Sequence, residues 1–284
     1  MKLVSFRHGG RTSFGRLVGD KVIDCGPLFD GRYASVRDLI GQDGLGAVAE
    51  ATEDRPADFA LDEIELLPPV PDPGKVLCVG VNYRTHREET SHQPVSHPTV
   101  FPRYADSQVG HRQPLIRPRE TEMFDYEGEL AVVIGKPGRR IPVEQAFDHV
   151  AGYSCYNDAT ARDWQRHTKQ WMPGKTFPGT GGFGPALVTR DEIPDLTALT
   201  LTTRVNGEVR QSAGLADLIF DLPALIAYIS TFTPLAPGDV IVTGTPGGVG
   251  LFREPPVFLK PGDTVEVDID GVGLLVNAVA DEEI

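Results

Sequence analysis

The chain opens on alternating apolar and polar positions set close to turn residues. Leu3-Val4-Ser5-Phe6, Arg16-Leu17-Val18-Gly19 and Lys21-Val22-Ile23-Asp24 carry the period of two expected of half-buried strands. The spacing then becomes helical. Val36, Leu39, Ile40, Ala47 and Val48 predict one helix over 36–50. Pro68, Pro69, Pro71 and Pro73, closing on Gly74, can continue neither a helix nor a central strand, so we place a boundary there. It separates a small N-terminal α/β unit, residues 1–69, from a larger unit, residues 70–284.

Beyond the boundary, Lys75 to Val81 is an apolar run of strand length, the pattern of a strand buried on both faces. From Tyr83 to Arg119 the chain is polar, rich in proline and without period, which predicts a long functional loop or lid. A strand is expected over 126–134, a helix near 143–149, another strand from Gly152 and a helix over 222–232. Two Pro-Gly-Asp turns, 237–239 and 261–263, feed Val-rich segments and suggest successive strands of a barrel or roll. The class is α+β, rich in β. Composition agrees: 31 Gly and 24 Pro among 284 residues favour many turns over a helical bundle.

Charge narrows the partners. Lys and Arg number 27 against 40 Asp and Glu, a formal net charge of −13, and no basic cluster offsets it locally. Such a surface repels phosphate backbones and anionic bilayers, which argues against nucleic acid and membrane partners. No apolar run approaches the roughly 18 residues of a membrane span, and the first residues lack a leader's apolar core. Cys25, Cys78 and Cys155 are odd in number, widely spaced and set among apolar residues, as buried free thiols of a reducing compartment would be. A soluble, cytoplasmic protein is expected.

The candidate chemistry begins at Asp125-Tyr126-Glu127-Gly128-Glu129-Leu130-Ala131-Val132-Val133-Ile134. On a strand, Asp125, Glu127 and Glu129 share one face with Ala131 and Val133, so adjacent carboxylates are carried toward a core. Protonation, a basic partner or a cation could each relieve that cost. Farther along, Asn157-Asp158 follows an apolar strand. If Asp158 caps a helix, Arg162 and Gln165 at i+4 and i+7 project to its side and could hold an anionic ligand. Three carboxylates without Cys or His would make a hard oxygen site suited to Mg²⁺, Mn²⁺ or Ca²⁺ over zinc. A third element is His86 with Glu89 at i+3, a carboxylate placed to fix an imidazole tautomer for drawing a proton, or else an exposed salt pair. Gly244 to Gly250 is glycine-rich but lacks G-x-x-x-x-G-K-[ST], so it is not read as a nucleotide loop.

Taken in order, these segments resemble the fumarylacetoacetate hydrolase family. The likeness rests on Gly-x-Asn-Tyr-x-x-His-x-x-Glu (80–89), Asp-Tyr-Glu-Gly-Glu-Leu-Ala-Val-Val-Ile-Gly (125–135), Gly-Tyr-x-x-x-Asn-Asp-x-x-x-Arg-Asp-x-Gln (152–165), Gly-Lys-Thr-Phe (174–177), Val-Asn-Gly-Glu (205–208) and the Pro-Gly-Asp-Val-Ile segment running to Gly250. It covers the chain from about Val70 onward. The resemblance implies a mixed β-roll catalytic domain and a homodimer, with Mg²⁺ or Mn²⁺ held by Glu127, Glu129 and Asp158. It implies a catalytic dyad of His86 and Glu89 in or beside a lid, Lys175 near the metal, and Arg162, Gln165 and Thr245 as substrate contacts. The chain departs from the common pattern at Arg103, where the lid usually carries lysine, and at Pro178, where Asp is frequent.

The expected reaction is divalent-metal-dependent hydrolysis of a C–C bond in a β-diketo acid of acylpyruvate, fumarylpyruvate or diketo-deoxy sugar acid type, releasing pyruvate. The alternative on the same residues is decarboxylation, isomerisation or hydration of a 2-oxo acid, oxaloacetate included. A non-catalytic Ca²⁺- or carbohydrate-binding β protein would explain the acids but leave His86, Glu89 and Lys175 without a shared purpose.

Overall fold

Gly128–Ile134 and Val150–Asp158 form the spine of the molecule, because every residue of both strands is buried. In the computed structural model, which describes residues 1–91 and 93–283, the longer strands in chain order are β1 (Lys2–His8), β2 (Arg11–Val18), β3 (Lys21–Asp24), β4 (Val76–Gly80), β5 (Thr99–Arg103), β6 (Gly128–Ile134), β7 (Val150–Asp158), β8 (Gly181–Thr189), β9 (Thr200–Val205), β10 (Glu208–Gly214), β11 (Val240–Val242), β12 (Thr264–Ile269) and β13 (Gly273–Asp281). The helices are α1 (Val36–Gly41), α2 (Leu45–Ala51), α3 (Arg84–Glu89), α4 (Arg162–Gln165), α5 (Met172–Lys175) and α6 (Leu222–Phe232).

The large sheet runs β3-β2-β1-β8-β7-β6-β11-β4-β5 and is mixed, with β11 parallel to β4 and most other pairs antiparallel. A smaller sheet, β10-β9-β12-β13, packs against it. Among the described residues neither sheet closes into a barrel. Segments on both sides of the proline-rich stretch share the large sheet, since β1 pairs with β8 through Lys2↔Val188 and Leu3↔Leu187.

Alternation along β6 explains the layers. Leu130, Val132 and Ile134 point to a core shared with Leu225, Ile226 and Ile229 of α6 and with Val267 and Ile269 of β12. Ala131 and Val133 point the other way, to Val240 and Val242 and to Val36, Leu39 and Ile40 of α1. Helix α6 starts where Asp221 accepts the Ala224 N–H and Pro223 occupies the first turn.

Four expectations need correction. The helix over 36–50 is two helices, broken at Asp43, whose φ of 54° cannot continue a right-handed helix. The stretch 83–119 is not a structureless lid. It holds α3, β5, and short strands at Gln108–Val109 and Leu115–Arg117, while its position 92 lies outside the described residues. Strand β5 escapes a periodicity reading because Pro98 directly precedes it and Pro102 lies within it. Pro102 is tolerated because β5 is the sheet's edge strand. The expected strand 126–134 is interrupted at Tyr126-Glu127, with Phe124–Asp125 pairing elsewhere. The two Pro-Gly-Asp turns feed different sheets, β11 in the large one and β12 in the small one.

Candidate active site

Antiparallel pairing of β6 with β7 brings the distant acids together. Gly128 lies opposite Asn157 and Glu129 opposite Tyr156, so Glu127 and Asp158 meet at the same end of the two strands. The Asp158 N–H donates to the Glu127 carbonyl at 2.8 Å, and the Glu127 N–H donates to Asn157 Oδ1 at 2.9 Å. Carboxylate oxygens of Glu127, Glu129 and Asp158 lie within 4.8 Å of one another, all three residues buried. Asp158 is the last residue of β7 rather than the cap of a helix, because Thr160–Ala161 forms a strand pair before α4 begins at Arg162.

Three buried cations surround the trio. Lys175 Nζ donates to Glu127 Oε2 at 2.6 Å and Asp158 Oδ2 at 2.7 Å. Arg162 Nη1 donates to Glu127 Oε1 at 2.6 Å, and its Nε to Asp125 Oδ2 at 2.8 Å. Arg103 Nη1 holds Asp158 Oδ1, while its Nη2 donates to Thr180 at 2.7 Å. Lys175 reaches in because α5 packs tightly on α4: a Cβ on Gly174 would stand 2.3 Å from the Gln165 nitrogen.

Four carboxylates, counting Asp125, thus face three cations, and the imbalance falls on Glu129. Among the described residues its side chain receives only the Gly244 N–H. Burial, then the charges of Asp158 and Glu127, push its carboxyl well above the usual range. Burial also works against ionised Glu127, but Lys175 and Arg162 outweigh it and bring that carboxyl down to about 2. The set fits a hard divalent ion, since oxygen donors converge and one buried carboxylate has no basic side chain on it.

The dyad is present as well. His86 Nδ1 lies 2.6 Å from Glu89 Oε1 on α3. The second oxygen of Glu89 accepts the Gly248 N–H at 2.8 Å, and Thr85 Oγ1 accepts that of Gly247 at 3.0 Å. Farther along, the N–H groups of Gly250 and Leu251 donate to Asp125 at 2.8 and 2.9 Å. The glycine-rich segment is therefore an anion cradle, but its anions are the protein's own Glu129, Glu89 and Asp125. Glycine is required at 248, where φ is +103° and a Cβ would lie 2.2 Å from the Arg210 carbonyl.

These groups line one cavity of about 250 Å³. His86, Glu127, Glu129, Lys175, Arg162, Gln165, Arg166 and Thr245 line it together with Trp171, Phe101 and Phe252. Arg162 is mostly committed to Asp125 and Glu127, yet its buried Nη2 has no partner among the described residues. Gln165 Oε1 accepts from Arg162 Nη1 at 3.1 Å. The Thr245 hydroxyl is already engaged, donating to the Gly128 carbonyl at 2.9 Å and accepting from Gln211 at 2.8 Å. Sequence reasoning assigned no role to Asp125 and placed Arg103 in a lid. Both are buried partners of the site. Their one signal was a charged residue at an inward position of a strand.

Residues 75–280 match the family described as Fumarylacetoacetate (FAA) hydrolase C-terminal, and the chain belongs to that family of enzymes. It is 41% identical over 287 residues to "Oxaloacetate tautomerase fahd2, mitochondrial" of Xenopus laevis, covering 98% of this chain and 90% of that protein. Among solved structures, fumarylacetoacetate hydrolase from Exiguobacterium antarcticum matches with a TM-score of 0.84 and 36% identity, over 99% of this chain and all of that one. Maleylpyruvate hydrolase from Sphingobium sp. SYK-6, solved with manganese(II) and pyruvate, matches with a TM-score of 0.83 and 30% identity over the full length of both. The tautomerase relative agrees better with the isomerase alternative than with C–C hydrolysis as the main expectation. Among the described residues no helix is long and apolar enough to cross a membrane.

Proposed function

We propose that the protein interconverts the keto and enol forms of a 2-oxo acid of the oxaloacetate class, in a site that takes Mg²⁺ or Mn²⁺. The observation that carries this reading is a single cavity lined by an oriented imidazole, two buried cations and two buried carboxylates, Glu127 and Glu129, with Asp158 converging on them from behind. The tautomerase name of the Xenopus relative favours proton transfer over hydrolysis.

Tautomerisation requires that a proton leave C3, that negative charge on the C2 oxygen be accommodated, and that this oxygen be protonated. Ionised Glu89 accepts from Nδ1–H of His86, which leaves Nε2 as the basic atom. Nε2 takes the C3 proton, and the electron pair of that C–H bond becomes the C2=C3 bond. Charge on the C2 oxygen develops near the Lys175 ammonium and the unpartnered Arg162 Nη2. The imidazolium then returns its proton to that oxygen, giving the enol, and the reverse sequence restores the ketone. Glu127, Glu129 and Asp158 would hold the divalent ion, which when bound supplies Lewis-acid stabilisation of the same charge. No bond to water forms, so no attacking water needs a place.

The test follows ketonisation of enol oxaloacetate by loss of its ultraviolet absorbance, with product masses recorded. The expected result is accelerated interconversion, dependent on Mg²⁺ or Mn²⁺, with neither CO₂ lost nor water added. An unchanged interconversion rate alongside rapid hydrolysis of acylpyruvates would overturn the reading.

A further inference from the structure

We propose that the Lys175 ammonium is a built-in competitor of the divalent cation for Glu127 and Asp158, so that this lysine sets the metal affinity of the site. The inference rests on the metal reading above and adds a role for one side chain.

All four oxygens of Glu127 and Asp158 carry a hydrogen bond from a buried cation. Lys175 takes one oxygen of each, Arg162 the second of Glu127 and Arg103 the second of Asp158. A cation drawn to these oxygens therefore meets positive charge already in place. The three incumbents are not equally replaceable. Arg103 is also tied to Ser107, to the Ala159 carbonyl and to Thr180. Arg162 is also tied to Asp125 and Gln165. Those bonds hold both guanidinium groups where they are, and a carboxylate oxygen has lone pairs to share with a second partner.

Lys175 differs. Beyond the two carboxylates, Nζ has among the described residues only the Asp158 carbonyl at 3.5 Å and the face of Phe101, 5.2 Å from the ring centroid. Its stem is flexible, its charge is a point rather than a planar fork, and it lines the cavity. Lys175 is therefore the group that yields when a cation takes these oxygens. Its ammonium then turns to the substrate oxygens in the same cavity. In the protein without the ion, the lysine also keeps converging carboxylates from repelling one another, which preserves the geometry of the trio.

The experiment is a Mn²⁺ titration followed by electron paramagnetic resonance of the free ion, on wild type, Lys175→Met and Lys175→Arg at neutral pH. Loss of the charge should tighten Mn²⁺ binding at least about tenfold, while the arginine variant stays near wild type. Equal or weaker binding by Lys175→Met would overturn the proposal. Because that variant could fail to fold without metal, a second measurement uses wild type alone. The ¹⁵N ammonium resonance of Lys175, assigned by its loss in Lys175→Arg, should move when Mg²⁺ saturates the site. A resonance that does not move at saturation also overturns the competition. Absence of Mn²⁺ binding in all three proteins would instead sink the metal reading itself, and the proposal with it.

Discussion

Glu127, Glu129 and Asp158 stand at the ends of two adjacent strands buried along their whole length, whereas His86 and Glu89 stand on a six-residue helix beside a polar stretch. The acids are held by sheet register, with Glu127 and Asp158 further fixed by three buried cations and Glu129 by the Gly244 N–H. The dyad is held by its internal bond and by the Gly248 N–H on Glu89, with the Gly247 N–H tied to the neighbouring Thr85 on the same helix. The difference suits the tasks: converging ligands need a rigid frame, while a proton carrier needs orientation and access to the cavity. It also implies that damage to Glu127 or Asp158, the acids paired with buried cations, should cost stability and function together, and damage to the dyad function alone.

The sharpest break is Asp158→Asn. It leaves Arg103 and Lys175 buried with one acceptor's charge removed, so unfolding free energy should fall by about 3–5 kcal/mol in urea titrations. Turnover of enol oxaloacetate should fall at least about a hundredfold. Next comes His86→Gln, for which turnover should drop about 10²–10⁴-fold while melting temperature and Mn²⁺ affinity stay near wild type. A comparable loss of melting temperature would erase the distinction between the two regions. Thr85→Val removes only the acceptor for the Gly247 N–H. It should cost about 1 kcal/mol, read as a severalfold decrease in kcat with little change in KM.

The smallest effect concerns pH and opposes two neighbours. Glu127, lowered from 4.5 to about 2 in the folded protein, stabilises fully above pH 4.5 and loses that contribution as pH falls toward 2. Glu129 is raised, so its contribution is present in acid and is lost as pH climbs through the raised value. Glu129→Gln is neutral at every pH. In EDTA it should therefore melt slightly higher than wild type at neutral pH, and the gain should vanish in acid. A neutral-pH melting temperature below wild type would show that the Glu129 charge is already balanced without an ion.

Much of the chemistry was legible because it is local. Glu127 and Glu129, two positions apart on an extended segment, were readable as neighbours, and His86 with Glu89 as one helical turn. Strands β1, β2 and β3 and helix α6 were equally visible, since alternation and helical spacing are properties of short windows. The split of the 36–50 helix was not, because Asp43 adopts a left-handed conformation that spacing does not encode.

Pairing across the fold was beyond any window. Arg103 and Asp158 are 55 positions apart, and Lys175 meets Glu127 across 48, because β5, β6 and β7 and the short helix α5 pack in one particular register. Sequence marks which groups carry charge and which faces they share along one element. Only the assembled sheet decides which oxygen meets which cation, because that depends on distances between segments whose separation along the chain carries no information about their separation in space.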